Sequence, residues 1–100
     1  MTFTLSPESY KTLQRIFRQY GQINEVILYG SRAKYTHHER SDIDLVIRNS
    51  SIDRHTLGRI KLDIDNSDIL YMVDLQILDN IKNRQLLDHI NRVGEIFYQK

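Results

Sequence analysis

The chain has 100 residues, of which 40% are hydrophobic and 27% charged, with a formal net charge of +1. That size and balance suit a single globular domain over residues 1–100 with a real core. The near-neutral, scattered charge leaves no footprint for direct nucleic-acid binding.

Cysteine is absent, which excludes disulfides, thiolate catalysis and cysteine zinc sites. The first ten residues, MTFTLSPESY, carry no basic segment followed by an apolar one, and no apolar run approaches membrane-spanning length. The expectation is a soluble, cytoplasmic protein with no membrane segment.

Ser6-Pro7-Glu8 predicts a helix start, with a hydroxyl cap, proline at the first helical position and an acid in the first turn. Tyr10, Leu13, Ile16, Phe17 and Tyr20 continue at helical spacing until Gly21. Val26 to Tyr29 reads as a buried strand ending at Gly30. Residues 31 to 36 read as a short helix or turn, and His37 to Arg40 as a solvated loop. Leu45-Val46-Ile47 reads as a second strand, with Ile43 leading into it.

Ser50-Ser51 is the expected cap of a helix over about 52 to 65, with Leu57, Ile60 and Ile64 inward and Gly58 weakening it locally. A third strand is expected from Ile69 to Ile77. A last helix follows over about 82 to 92, with Leu86, Leu87 and Ile90 inward, and Gly94 ends it before a short edge strand at Ile96 to Tyr98. Strands alternating with helices predict an α/β (α+β) fold, a small mixed sheet with helices packed on it.

Asp42 and Asp44 flank Ile43, and on a strand that spacing sends both side chains to one face with Cα atoms about 6.5–7 Å apart. Two carboxylates converging within about 4 Å repel by roughly 4 kcal/mol at an effective dielectric near 20. A cation, a proton or open water must relieve that, and magnesium is the natural cation for carboxylates, water and phosphate oxygens. In the third strand Tyr71, Val73, Leu75 and Ile77 share one parity, leaving Met72, Asp74 and Gln76 on the other. If the second and third strands are neighbours, Asp74 joins the pair, and three carboxylates suit a two-metal clamp. Structural roles remain open at this stage: Asp42 could sit in water at a strand end, and Asp74 could pair with Arg48. The loop histidines read as solvated rather than metal-binding. Asp63, Asp65, Asp68, Asp79 and Asp88 read as turn or helix-face acids.

Gly30 after a strand lets the backbone approach a ligand closely. A helix starting there would present N–H groups to an anion. Ser31 can donate to a phosphate oxygen, and Arg32 brings nearby charge or pairs with Glu39 or Asp42.

With Gly30-Ser31, ten residues, then Asp42-Ile43-Asp44, the sequence resembles the minimal nucleotidyltransferases (MNT) of the DNA polymerase β-like superfamily. The resemblance extends through GSRAK, SDIDLVI, the VDL that carries Asp74 and the closing NRQLLDHINRVGEIFY, covering about residues 24 to 98. Tyr35 and Leu70 depart from it, standing where many members have glycine and proline.

The resemblance implies the polymerase β palm-like fold and transfer of AMP from ATP to an acceptor hydroxyl. Asp42, Asp44 and Asp74 would be the catalytic, metal-holding residues for two Mg2+ ions, and Gly30, Ser31 and Arg32 would bind the nucleotide phosphates. It further implies a small helical HEPN-type partner, encoded adjacently, in a hetero-oligomeric toxin–antitoxin pair, with a tyrosine as acceptor. The short chain leaves little room for an acceptor-binding domain of its own, which favours a partner over a small-molecule acceptor, and RNA ends would call for more basic charge. The rival reading is a catalytically inert nucleotide-binding subunit that caps a helical partner. The intact aspartate triad favours the enzyme.

Overall fold

Ser6 begins the fold as expected: its hydroxyl accepts the Ser9 N–H at 3.2 Å, opening helix α1 (Pro7–Arg18). The computed structural model describes residues 5–30, 42–69 and 71–100. After α1 come strands β1 (Glu25–Tyr29) and β2 (Ile43–Arg48), helix α2 (Arg54–Asp65), strand β3 (Val73–Ile77), a 3-10 turn (Leu78–Asn80), helix α3 (Arg84–Val93) and strand β4 (Glu95–Gln99). Among the described residues no helix is long and apolar enough to cross a membrane.

The sheet is mixed, in the order β3-β2-β1-β4. β1 pairs antiparallel with β2 and β4, and β2 pairs parallel with β3. One face is covered by α1 and α2: Leu13, Ile16, Phe17, Ile60 and Ile64 pack against Val26, Leu28, Ile43, Leu45, Ile47, Leu75 and Phe97. On the other face α3 lays Ile90, with Leu86 and Val93, over Ile27, Tyr29 and Val46. β1 is therefore buried along its whole length. Beyond Val46, along β2 and β3, the α3 side of the sheet turns polar.

Three sequence expectations shift. The cap of α2 is Asp53, whose carboxylate accepts the Thr56 N–H at 2.7 Å. Ser50 instead accepts the Asn24 N–H and donates to the Arg48 carbonyl, tying the end of β2 to the start of β1. The third strand is shorter than Ile69–Ile77, because its register with β2 starts only at Ile43 against Val73, next to the bond from the Ile43 N–H to the Met72 carbonyl. Ile69 and Tyr71 still pack against the core without being in the ladder. Finally, Leu86 and Ile90 face inward on α3 as expected, whereas Leu87 belongs to neither core cluster.

Candidate active site

The parallel register of β2 and β3 pairs Asp44 with Asp74. Adjacent strands lie about 4.8 Å apart and alternate side chains between faces, so both carboxylates rise at one level from neighbouring strands. They share the α3 side, since Val46 lies there while Leu45 and Leu75 point into the opposite core. Asp42, just ahead of β2 and exposed, has the same parity. The alternative partner for Asp74 is thereby removed: Arg48 donates from Nε to Glu25, at the far end of β2.

On the other flank of β2, the antiparallel register sets Tyr29 against Asp44. Gly30 follows with φ of 79°, in the left-handed region. A Cβ at Gly30 would stand 2.3 Å from Asp44 Oδ2, so the backbone lies against this carboxyl as only glycine permits. Ser31 and Arg32 fall outside the described residues, as do Tyr35, His37, His38 and Leu70.

The electrostatics follow from this crowding. Burial raises the Asp44 carboxyl from its usual range to about 6, with the charges of Asp74 and Asp42 adding to the effect. Burial likewise pushes the Tyr29 hydroxyl up to about 12, with further contributions from Asp74 and Asp44, so it remains protonated. Among the described residues no group of three His, Asp or Glu side chains is drawn close enough to hold a metal ion. The three aspartates instead share a face and a field of like charge. Oxygen donors alone, already repelling one another, form a donor set suited to a hard divalent cation.

Sequence reasoning passed over two neighbours. The Gln76 amide donates to the Tyr29 hydroxyl and to Asp74 Oδ2, both at 3.2 Å. His89 of α3 accepts the Gly30 N–H on Nε2 at 3.2 Å and meets the Tyr29 ring edge-on, with centroids 6.2 Å apart. Gln76 could have been flagged by its parity with Asp74, and His89 by lying three residues from Leu86 on the inward stripe of α3.

The "Polymerase beta, Nucleotidyltransferase" family matches residues 11–100. The chain belongs to the polymerase β nucleotidyltransferase family. Curated proteins give no match. Among solved structures, the nucleotidyltransferase fold recurs in a toxin–antitoxin complex with AMP-PNP, at TM-score 0.69 and 21% identity, covering 96% of this chain and 75% of that one. It recurs in a complex of tri-AMPylated Shewanella oneidensis HEPN toxin with MNT antitoxin, at TM-score 0.67 and 15% identity, covering 96% and 74%. A third structure, the MntA–HepT toxin–antitoxin, aligns at TM-score 0.64 and 16% identity, covering 93% and 72%. At these identities the likeness is one of fold, and it spans nearly all of this chain and about three quarters of each of those.

Proposed function

We propose that this chain transfers AMP from ATP, with magnesium, to a hydroxyl of a helical HEPN-type partner, most simply a tyrosine, and so acts as the antitoxin of a toxin–antitoxin pair. On this reading residues 1–100 are one minimal nucleotidyltransferase domain, working in the cytoplasm within a hetero-oligomer. The observation that carries it is the register that pairs Asp44 with Asp74 while Gly30 presses on Asp44 from the other side. Membership of the nucleotidyltransferase family and the fold shared with MNT–HEPN complexes, one holding an AMPylated toxin, support it.

In this scheme Asp42, Asp44 and Asp74 would hold two magnesium ions, and Gly30, Ser31 and Arg32 would hold the triphosphate. Magnesium, when bound, neutralises phosphate charge and makes the acceptor hydroxyl easier to deprotonate. Asp74 sits on the acceptor side and takes up the hydroxyl proton as the acceptor oxygen attacks the α-phosphorus. The bond between the α-phosphorus and its bridging oxygen to the β-phosphate breaks, and pyrophosphate leaves.

Intact mass spectrometry of the chain with its genomically adjacent partner, before and after MgATP, tests the scheme. One or more AMP additions on the partner, absent with Asp42→Asn/Asp44→Asn, are expected. MgATP binding with no mass gain on the partner would overturn transfer in favour of an inert, capping subunit.

A further inference from the structure

The cradle glycine follows β1 and the acceptor-side aspartate lies in β3, with three residues, from α3, β1 and β3, between them that the reaction itself does not use. The links run in sequence. The Gly30 N–H donates to His89 Nε2. The His89 ring meets the Tyr29 ring edge-on, at 77° between planes. The Tyr29 hydroxyl accepts from Gln76 Nε2, and the same nitrogen donates to Asp74 Oδ2.

We propose that His89 and Gln76 are positioning residues, bracing Gly30 and Asp74 against the buried ring of Tyr29 so that the nucleotide cradle and the acceptor-side carboxylate keep one relative position. This rests on the nucleotidyl-transfer reading above for the roles of Gly30 and Asp74.

Each residue type suits its place. Accepting on Nε2, His89 offers Gly30 a fixed acceptor from a rigid ring on a helix. A primary amide has two hydrogens, so Gln76 can satisfy Tyr29 and Asp74 at once. Tyr29 is 4% exposed and in contact with α3, giving both links a fixed anchor. Glycine is the residue least able to hold its own backbone, and at φ of 79° an external partner for its N–H supplies the missing restraint. An aspartate 3.2 Å from an amide donor on its own strand likewise loses rotational freedom.

The two ends predict different kinetic signatures. His89→Leu removes the acceptor and leaves the Gly30 N–H unpartnered, which raises KM and the Kd for MgATP about tenfold, the equivalent of one net hydrogen bond. kcat then stays within about twofold, since Asp74 is untouched. His89→Gln, whose amide oxygen can accept, recovers most of the affinity. Gln76→Leu lowers kcat about tenfold and leaves the Kd for MgATP unchanged, because the lost restraint lies on the acceptor side.

A first arm needs no nucleotide. The Gly30 amide resonance of the free protein should move with His89→Leu and return toward its wild-type position with His89→Gln, the melting temperature of each variant reporting that it is folded. An unmoved Gly30 resonance in folded His89→Leu would overturn the brace whether or not the chain transfers AMP. A His89→Gln variant no better than His89→Leu, or a Gln76→Leu variant that loses nucleotide affinity instead of rate, would overturn it as well. Failure of the wild type to bind MgATP would instead reject the nucleotide reading, and the resonance would still decide the brace.

Discussion

Replacing Gly30 with alanine isolates the contact on which the site depends. Two penalties arise from one methyl group. A non-glycine residue held at φ of 79° costs about 1–2 kcal/mol in the left-handed region. The added Cβ would also stand 2.3 Å from Asp44 Oδ2, 3.1 Å from its Cγ and 3.3 Å from its Cβ. The oxygen is the far end of a side chain, so the carboxyl swings away and β2 stays in place; the stability loss stays near the backbone term. For a domain of this size that corresponds to a fall in melting temperature of roughly 5–15 °C. The catalytic loss is larger, because displacing a positioned group by about 1 Å costs on the order of a hundredfold in rate. AMP transfer to the partner, followed by intact mass well below the variant's melting temperature, should therefore drop about a hundredfold while the protein remains folded. Transfer at the wild-type rate in Gly30→Ala would refute the idea that Asp44 must occupy the space beside this glycine. An unchanged melting temperature would refute the strained-backbone estimate.

The Asp44 carboxyl, raised to about 6 from a usual 3.8, binds its proton more tightly in the folded state than in the unfolded one. Its contribution is therefore fully present below about pH 4 and lost as pH rises through 6. With magnesium withheld, chemical denaturation should give a protein more stable at pH 5 than at pH 7.5 by roughly 1 kcal/mol, after discounting for solvent screening of a half-buried group. Asp44→Asn should flatten that slope. At the opposite end of the sheet, Arg48 holds the Glu25 carboxyl below its usual range. This contribution is present at neutral pH and lost as acid protonates Glu25, and Arg48→Met should destabilise by about 1–3 kcal/mol in urea melts at pH 7. Gly94→Ala would place a methyl group 2.4 Å from the Ile90 carbonyl and 2.7 Å from the Ile27 side chain, which overpacks the α3–β4 junction and should lower stability by about 1–3 kcal/mol in the same melts.

Most of this arrangement was readable from local pattern, and the reasons for the exceptions are physical. The spacing from Gly30-Ser31 to Asp42-Ile43-Asp44 is a property of the chain itself, and so is the parity of Asp74 against Leu75 and Ile77. That Asp74 stands beside Asp44 is not local: it depends on β3 docking parallel to β2 after a helical crossover, which the sequence allowed but did not require. Ser50-Ser51 looked like a helix cap because serine hydroxyls do cap helices, yet Asp53 lay within reach and Ser50 was engaged by Asn24. His89 was the least legible. A lone histidine between apolar positions of an amphipathic helix reads as a tolerated core residue, and its partner is the backbone N–H just after β1, 59 residues away in sequence.

The carboxylate cluster bears on the choice between enzyme and inert subunit. A protein that only capped a partner would gain nothing from three aspartates on one half-open face, where burial and mutual repulsion raise Asp44 to about 6. Asparagine would preserve size and hydrogen bonding there without the charge. Each aspartate-to-asparagine change at Asp44 or Asp74 should accordingly leave the magnesium-free fold as stable as wild type or more so, while abolishing transfer to the partner. Such an exchange of stability for function characterises groups arranged for chemistry rather than for folding. It also separates the two readings by a measurement on the isolated chain. A loss of stability on neutralising Asp44 or Asp74 would mean that the carboxylates serve the fold, and the case for a catalytic cluster would fail at its electrostatic root.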